Sequence, residues 1–307
     1  MGGSGGGFWA GKPGKFADAI REAHQATGAD AYEAEVAQFL SEVLAAVNSR
    51  DVDTIARHVE SIRRALNDDI DGAIDLLFGG SISRRTYVDG ISDVDALVIL
   101  DRARFDTDDP ELVCAYLGQR MTDRFPRGNV ARDGFAVSVW FGELKVELVP
   151  VLRTPSGVAL PKQDLSGWVH VDPALFAQRL TAANAACGGK VVPAIKLAKK
   201  LFASVPENRR PRSFHLEAIA VEAFRDFNGP FTPKGALLHL LKRGAELVRT
   251  PIADVTGQSW AADSYLGLPG SLERLLVANS FRQLVSRIGL ADGMKSLDSW
   301  REMFDDF

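Results

Sequence analysis

The chain has 307 residues, of which 46% are hydrophobic and 25% charged, with a net charge of −4 at pH 7 and a pI of about 5.8. That length and apolar content suffice for a globular protein of two lobes, while the acidic balance argues against wrapping a nucleic-acid backbone. Cys114 and Cys187 form no CxxC pair, so neither a disulfide framework nor a zinc ribbon is indicated; no apolar run approaches the roughly 20 residues that span a bilayer, and a soluble, cytoplasmic protein without membrane partners is expected.

Residues 1–14, opening on the glycine-rich run Met1 to Gly7, read as a flexible tail or cloning remnant. Residues 30 to 49 and 51 to 72 repeat apolar positions at helical spacing, through Val36, Phe39, Leu40, Val43, Leu44 and Val47, then Val52, Ile55, Val59, Ile62 and Leu66. They predict two amphipathic helices packed on a sheet lobe. Leu76 to Gly80 predicts a short strand ending in glycines, and Ser81 to Thr86 a short helix carrying Arg84 and Arg85. Strands are expected at 93–100, 134–141 and 145–152, with a helix at 110–124. Proline and glycine punctuation from Pro150 to Gly167 reads as a hinge. From about Pro173 helical patterns dominate, at 173–186, 190–204, 213–227, 233–248 and 270–289.

The chemistry concentrates in Phe78-Gly79-Gly80-Ser81, followed by Asp93-Val94-Asp95 at the start of the apolar run Ala96 to Leu100. Side chains alternate along a strand, so Asp93 and Asp95 share a face while Val94 and Ala96 pack. Paired carboxylates near a Gly-Ser turn suit divalent ions bound to a nucleoside triphosphate. A third acid is needed from a neighbouring strand. Glu147, within Lys145 to Pro150, is placed for it; Glu143 precedes that strand and fits less well. The bland alternative makes Asp93 a turn cap and Asp95 a solvated strand residue.

These residues resemble the polymerase-beta-like nucleotidyltransferase superfamily, and within it the branch of cyclic GMP-AMP synthase and oligoadenylate synthase with its bacterial second-messenger relatives. Lys196, Lys199 and Lys200 on one helix, then Ser213-Phe214-His215-Leu216-Glu217 opening the next, are similar to that branch's pairing of a lysine helix with a Ser-aromatic-His turn. Pro251 to Gln258, with Trp260 and Tyr265 beyond, is similar to its late Asp-Pro-Thr-Gly segment, with Val255 in place of the proline. Glu147 stands where many relatives have aspartate.

The resemblance implies an α+β fold: a mixed-sheet nucleotidyltransferase lobe over 15–165 and a helical, oligoadenylate-synthase-like nucleotide-binding lobe over 166–307. It implies that Gly80 and Ser81 hold the β and γ phosphates. Asp93, Asp95 and Glu147 would bind two Mg²⁺, with Mn²⁺ as the alternative, and act as the catalytic acids. Lys196, Lys199 and Ser213 would reach the donor triphosphate, and Phe214 would stack on a base. The product would be a cyclic di- or trinucleotide, made from ATP, GTP or other NTPs and sensed by a downstream effector in antiviral defence. The competing readings are an RNA-terminal or small-molecule nucleotidyltransferase and a catalytically silent NTP-binding regulator.

Each helical-lobe residue also has a plainer role. The lysines fit a solvated helix face, Ser213 an N-cap, and Phe214 a core position. The five histidines show no i, i+4 pairing and no cysteine partners, so zinc is not expected. Arg50, Arg57 and Arg64 share a helical face, yet Asp51, Asp53, Glu60, Asp68 and Asp69 interleave with them. That mixture favours a solvated helix over a site for a nucleic-acid activator.

Overall fold

The structure is a computed structural model that describes residues 13–48, 52–69, 73–77, 86, 88, 94–100, 108–126, 128–142, 144–155, 157–162, 164–252 and 263–305; within these, the side chains of 13–29, 52–56, 59, 67–69, 73–77, 94–95, 264 and 305 lie outside the description. Gly80, Ser81, Asp93, Glu143 and the predicted helix at 81–86, apart from Thr86, fall outside the described residues, as does most of the segment 251–260.

Among the described residues, seven strands form one mixed sheet in the order β1 (Ala73–Leu77), β2 (Val94–Leu100), β5 (Leu144–Thr154), β4 (Ala136–Phe141), β3 (Val130–Asp133). β6 (Gly157–Pro161) pairs with the end of β5, and β7 (Trp168–Val171) with β6. β2 and β5 run parallel, and the other pairs are antiparallel. Alternation divides the two central strands cleanly. Ala96, Val98, Leu100, Val146, Leu148 and Leu152 form one core with Ile62 and Leu66 of α2 (Val52–Asp69) and with Val113, Leu117 and Met121 of α3 (Pro110–Arg124). Ile99 and Val151 pack on the opposite face with Val158 and Val171 of the last two strands, and partly buried Leu97 and Val149 join them.

The helical lobe is built from α4 (Pro173–Ala186), α5 (Val191–Ala203), α6 (Ser213–Ala223), α7 (Pro233–Leu247), α8 (Leu272–Met294) and α9 (Leu297–Asp305). Three helices begin on an acceptor followed by proline, which pre-sets the first turn. Asp109 accepts the Glu111 amide at 2.9 Å, Asp172 the Leu175 amide at 2.9 Å, and Thr232 the Gly235 amide at 3.0 Å. No helix among the described residues is long and apolar enough to cross a membrane.

Two expectations change, and a third holds. α1 (Pro13–Asn48) is one long helix that packs on the helical lobe, not on the sheet. Its Tyr32, Val36 and Leu40 belong to the core of α5, α7 and α8, and the Tyr32 hydroxyl, which accepts from Trp300 Nε1 at 3.0 Å, lies 2.9 Å from Asp292 Oδ1. Of the two N-terminal helices, α2 is the one that joins the sheet's core. The stretch expected as a hinge is instead the end of β5, β6 and the approach to β7, so the sheet continues to Val171 rather than ending near 165. Gly157 punctuates a hairpin there: its φ is +143°, and a Cβ would meet the Val171 carbonyl at 2.3 Å. Finally, Arg64 pairs with Glu60 at 3.3 Å on an exposed face, as the charge-mixed reading of α2 expects.

Candidate active site

The parallel ladder between β2 and β5 sets Asp95 opposite Glu147. Partners in a parallel ladder lie on neighbouring strands roughly 4.8 Å apart and on the same face, so two of the three expected acids share one row. Ser138 of β4 continues that row on the other side of Glu147, 5% exposed. The Glu147 side chain is 31% exposed, and Lys145 on the same face brings its Nζ to 3.9 Å from Oε2. Carboxylates on adjacent strands are hard oxygen ligands that suit Mg²⁺ or Mn²⁺. Among the described residues no three His, Cys, Asp or Glu side chains gather as a metal cluster; Asp93 and the Asp95 side chain are not among them.

The two lysines expected at the donor triphosphate are both buried and paired. Lys196 is 5% exposed and hydrogen-bonds Asn48 Oδ1 at the end of α1. Lys199 is 3% exposed and donates to Glu217 Oε1 at 2.9 Å and to the Thr86 carbonyl at 3.0 Å. The Thr86 hydroxyl donates to the same Glu217 oxygen at 2.5 Å. The reason is packing. α5 lies between α1, α6 and α7, so almost its whole circumference is covered, and lysines there are stable only with partners. They fix α5 against α1 and against Thr86 instead of presenting two solvated ammonium groups.

Ser213 and Phe214 stand at the start of α6, both half-buried. Ser213 is the first helical residue rather than the cap. Arg212 occupies the cap position and makes no side-chain capping bond, so no side-chain cap answers the first-turn amides. Such a terminus favours an anion. Phe214 meets Phe176 with ring centroids 5.1 Å apart, so part of its ring serves the core, as the plainer reading holds.

Tyr265 organises this corner. Its hydroxyl accepts the Arg212 amide at 3.0 Å and lies 3.1 Å from His215 Nδ1, while the Arg212 guanidinium rests 4.6 Å over its ring. That hydroxyl therefore bridges the Arg212 amide and the His215 imidazole. Nε2 is buried with no hydrogen-bond partner among the described residues. Burial, helped by the Arg274 charge, pushes the His215 pKa down to about 3, and burial raises Tyr265 to about 12. His215 is therefore neutral at physiological pH.

Sequence reasoning missed Thr86, Glu217 and Arg212. Glu217 stood in the Ser213–Glu217 string, four residues from Ser213 and thus on the same helical side. Thr86 carried no signal, because only the fold brings it to α5 and α6.

Residues 32–184 match the family of the Second Messenger Oligonucleotide or Dinucleotide Synthetase domain. No curated protein sequence matches the chain. Solved structures share the fold. CdnC of Escherichia coli MS115-1, solved with ATP, is 19% identical with a TM-score of 0.59, covering 82% of this chain and 90% of that one. CdnG of Bradyrhizobium diazoefficiens, solved with GTP, is 13% identical with a TM-score of 0.62, covering 82% and 89%. Escherichia coli DncV in its 3′-deoxy GTP-bound form is 13% identical with a TM-score of 0.61, covering 95% and 90%.

Proposed function

We propose, from the match of residues 32–184 to the second-messenger synthetase domain family and from the fold shared with CdnC and DncV, that the chain is a bacterial cGAS/DncV-like nucleotidyltransferase that joins NTPs into a cyclic di- or trinucleotide. A ribose hydroxyl oxygen attacks the α-phosphorus, the bond to the β-phosphate oxygen breaks, and pyrophosphate leaves. ATP and GTP are the substrates favoured, in keeping with the nucleotides named for CdnC and CdnG. The product serves a downstream effector in antiviral defence, a step that rests on the family resemblance.

The observation that carries this reading is the Asp95–Glu147 row on adjacent parallel strands. With Asp93, these carboxylates hold two Mg²⁺, or Mn²⁺. Such ions, when bound, lower the pKa of the attacking hydroxyl and neutralise the leaving pyrophosphate. Gly80 and Ser81 hold the β and γ phosphates, Ser213 and the first-turn amides of α6 meet the triphosphate from the other lobe, and Phe214 offers its remaining face to a base. Lys145, whose Nζ lies 3.9 Å from Glu147, would give up that carboxylate where a divalent ion is bound.

Incubation of the protein with each α-labelled NTP and with all four, in Mg²⁺ or Mn²⁺, followed by phosphatase, tests the reading. A phosphatase-resistant product is expected from the wild type. It should fall by at least about 10²-fold in Asp95→Asn and Glu147→Gln, since each weakens the ion's electrostatic contribution, with NTP binding retained. Undiminished product in both variants overturns the metal assignment. Tight NTP binding without turnover in either metal replaces the synthase by the regulator.

A further inference from the structure

We infer that Glu217 is a positioning residue that, with Lys199, grips Thr86 and so sets the connection between β1 and β2 against the helical lobe. Thr86 lies in the sequence between Leu77, where β1 ends, and Val94, where β2 begins. The same connection carries Gly80, Ser81 and Asp93. The inference rests on the nucleotidyltransferase reading of those three residues.

Among the described residues the grip has two points. The Thr86 carbonyl accepts from Lys199 Nζ at 3.0 Å, and its hydroxyl donates to Glu217 Oε1 at 2.5 Å. One contact would fix a distance; one to the backbone and one to the side chain also fix the residue's rotation. Both are charge-assisted, hence stronger and more directional than neutral hydrogen bonds. All three residues are sealed from water: Thr86 and Glu217 are 0% exposed and Lys199 3%.

The ion pair is not needed to join its own helices. α5 and α6 already share an apolar core through Leu197, Leu201, Leu216 and Ile219. A buried ion pair between packed helices is often replaced by apolar residues without loss of stability. What apolar residues cannot supply is an oriented acceptor and donor for a third polar group. Here the third group belongs to the other lobe, 113 residues from Lys199 and 131 from Glu217. The pair is therefore placed to transmit the position of the helical lobe, with Ser213 four residues before Glu217 on the same helix, to the segment holding the phosphates.

Thr86→Val and Thr86→Ser in the full chain separate this role from packing. Valine keeps the shape and removes the hydroxyl; serine keeps the hydroxyl. Valine should raise KM for NTP, or lower kcat, by at least about tenfold, with Tm within about 5 °C of wild type, and serine should restore the kinetics. Glu217→Gln, which keeps an acceptor but leaves Lys199 without its counter-charge, should share the kinetic defect. Hydrogen–deuterium exchange over residues 78–94 supplies a readout independent of turnover: faster in valine, wild-type in serine. Exchange and kinetics unchanged in the valine variant overturn the inference, as does a kinetic loss that only follows the unfolded fraction. A wild type that neither binds nor converts NTP overturns the proposed function instead, and the exchange arm still decides the grip.

Discussion

Arg274 and Lys199 are both buried cations of the helical lobe, each with a carboxylate partner, yet they serve different ends. Arg274 spreads its guanidinium over Asp263 Oδ2 at 3.2 Å and the carbonyls of Val248 and Gly267 at 3.0 Å, all in the chain just before α8 or at its own start. Its planar fork is suited to several fixed acceptors at once. Lys199 offers a point charge to one carboxylate within its lobe and one carbonyl outside it. The first arrangement closes a lobe on itself and the second ties two lobes together. Burial alone does not distinguish them, since each pair is at most 3% exposed. The destination of the remaining donors does.

The comparison is broken most severely at Arg274. Arg274→Met leaves Asp263 as a buried carboxylate without its counter-charge, and urea unfolding should show a loss of about 3–5 kcal/mol. A loss below about 1 kcal/mol would mean that the fork is dispensable. The next effect is in pH. His215, beside Arg274, has a folded pKa of about 3 against an ordinary 6.5, so between those values the unfolded chain binds the proton and the folded chain does not. Its contribution is complete above pH 6.5 and is lost as pH falls toward 3. At pH 5 the loss should be about 2 kcal/mol, at roughly 1.4 kcal/mol per pH unit, and His215→Phe should flatten that part of the stability curve. An unchanged slope in the variant would assign the acid sensitivity elsewhere. The smallest effect sharpens the contrast: Lys199→Met with Glu217→Leu replaces both charges together, and its stability should stay within about 2 kcal/mol of wild type. A loss as large as that of Arg274→Met would make the lobe-linking pair a stability device after all.

The helices were legible wherever a local rule wrote them. Asp109-Pro110, Asp172-Pro173 and Thr232-Pro233 each supply an acceptor and a fixed φ, and the predicted starts at 110, 173 and 233 coincide with the observed ones. The strand at 94–100 was legible from its apolar run. β6 and β7 were not, because five and four residues around glycines and a proline resemble a linker until a partner strand is present. The acid row was half legible. Alternation placed Asp95 and Glu147 on strands, but only the register makes them neighbours. The burial of the α5 lysines was not legible, because sequence spacing identifies a face without revealing what covers it: Asn48 of α1 meets Lys196, and Glu217 and Thr86 meet Lys199. α1 is also joined to the end of the chain where Tyr32, Asp292 and Trp300 meet, which no local pattern encodes.

The Trp300–Tyr32 hydrogen bond spans 268 positions, and it has a bearing on the order of folding. The helical lobe is discontinuous in sequence: α1 comes early, the sheet with α2 and α3 intervenes, and the remaining helices follow. During synthesis the sheet lobe has its full complement of strands once Val171 has emerged, whereas the groove that receives Val36 and Leu40 does not exist until α7 and α8 are made. α1 must therefore wait, with an apolar face uncovered, while more than half of the chain is added. Closure of that long loop is entropically slow, so refolding should proceed in two phases, with the sheet lobe leading and burial of Trp300 against Tyr32 reporting the last.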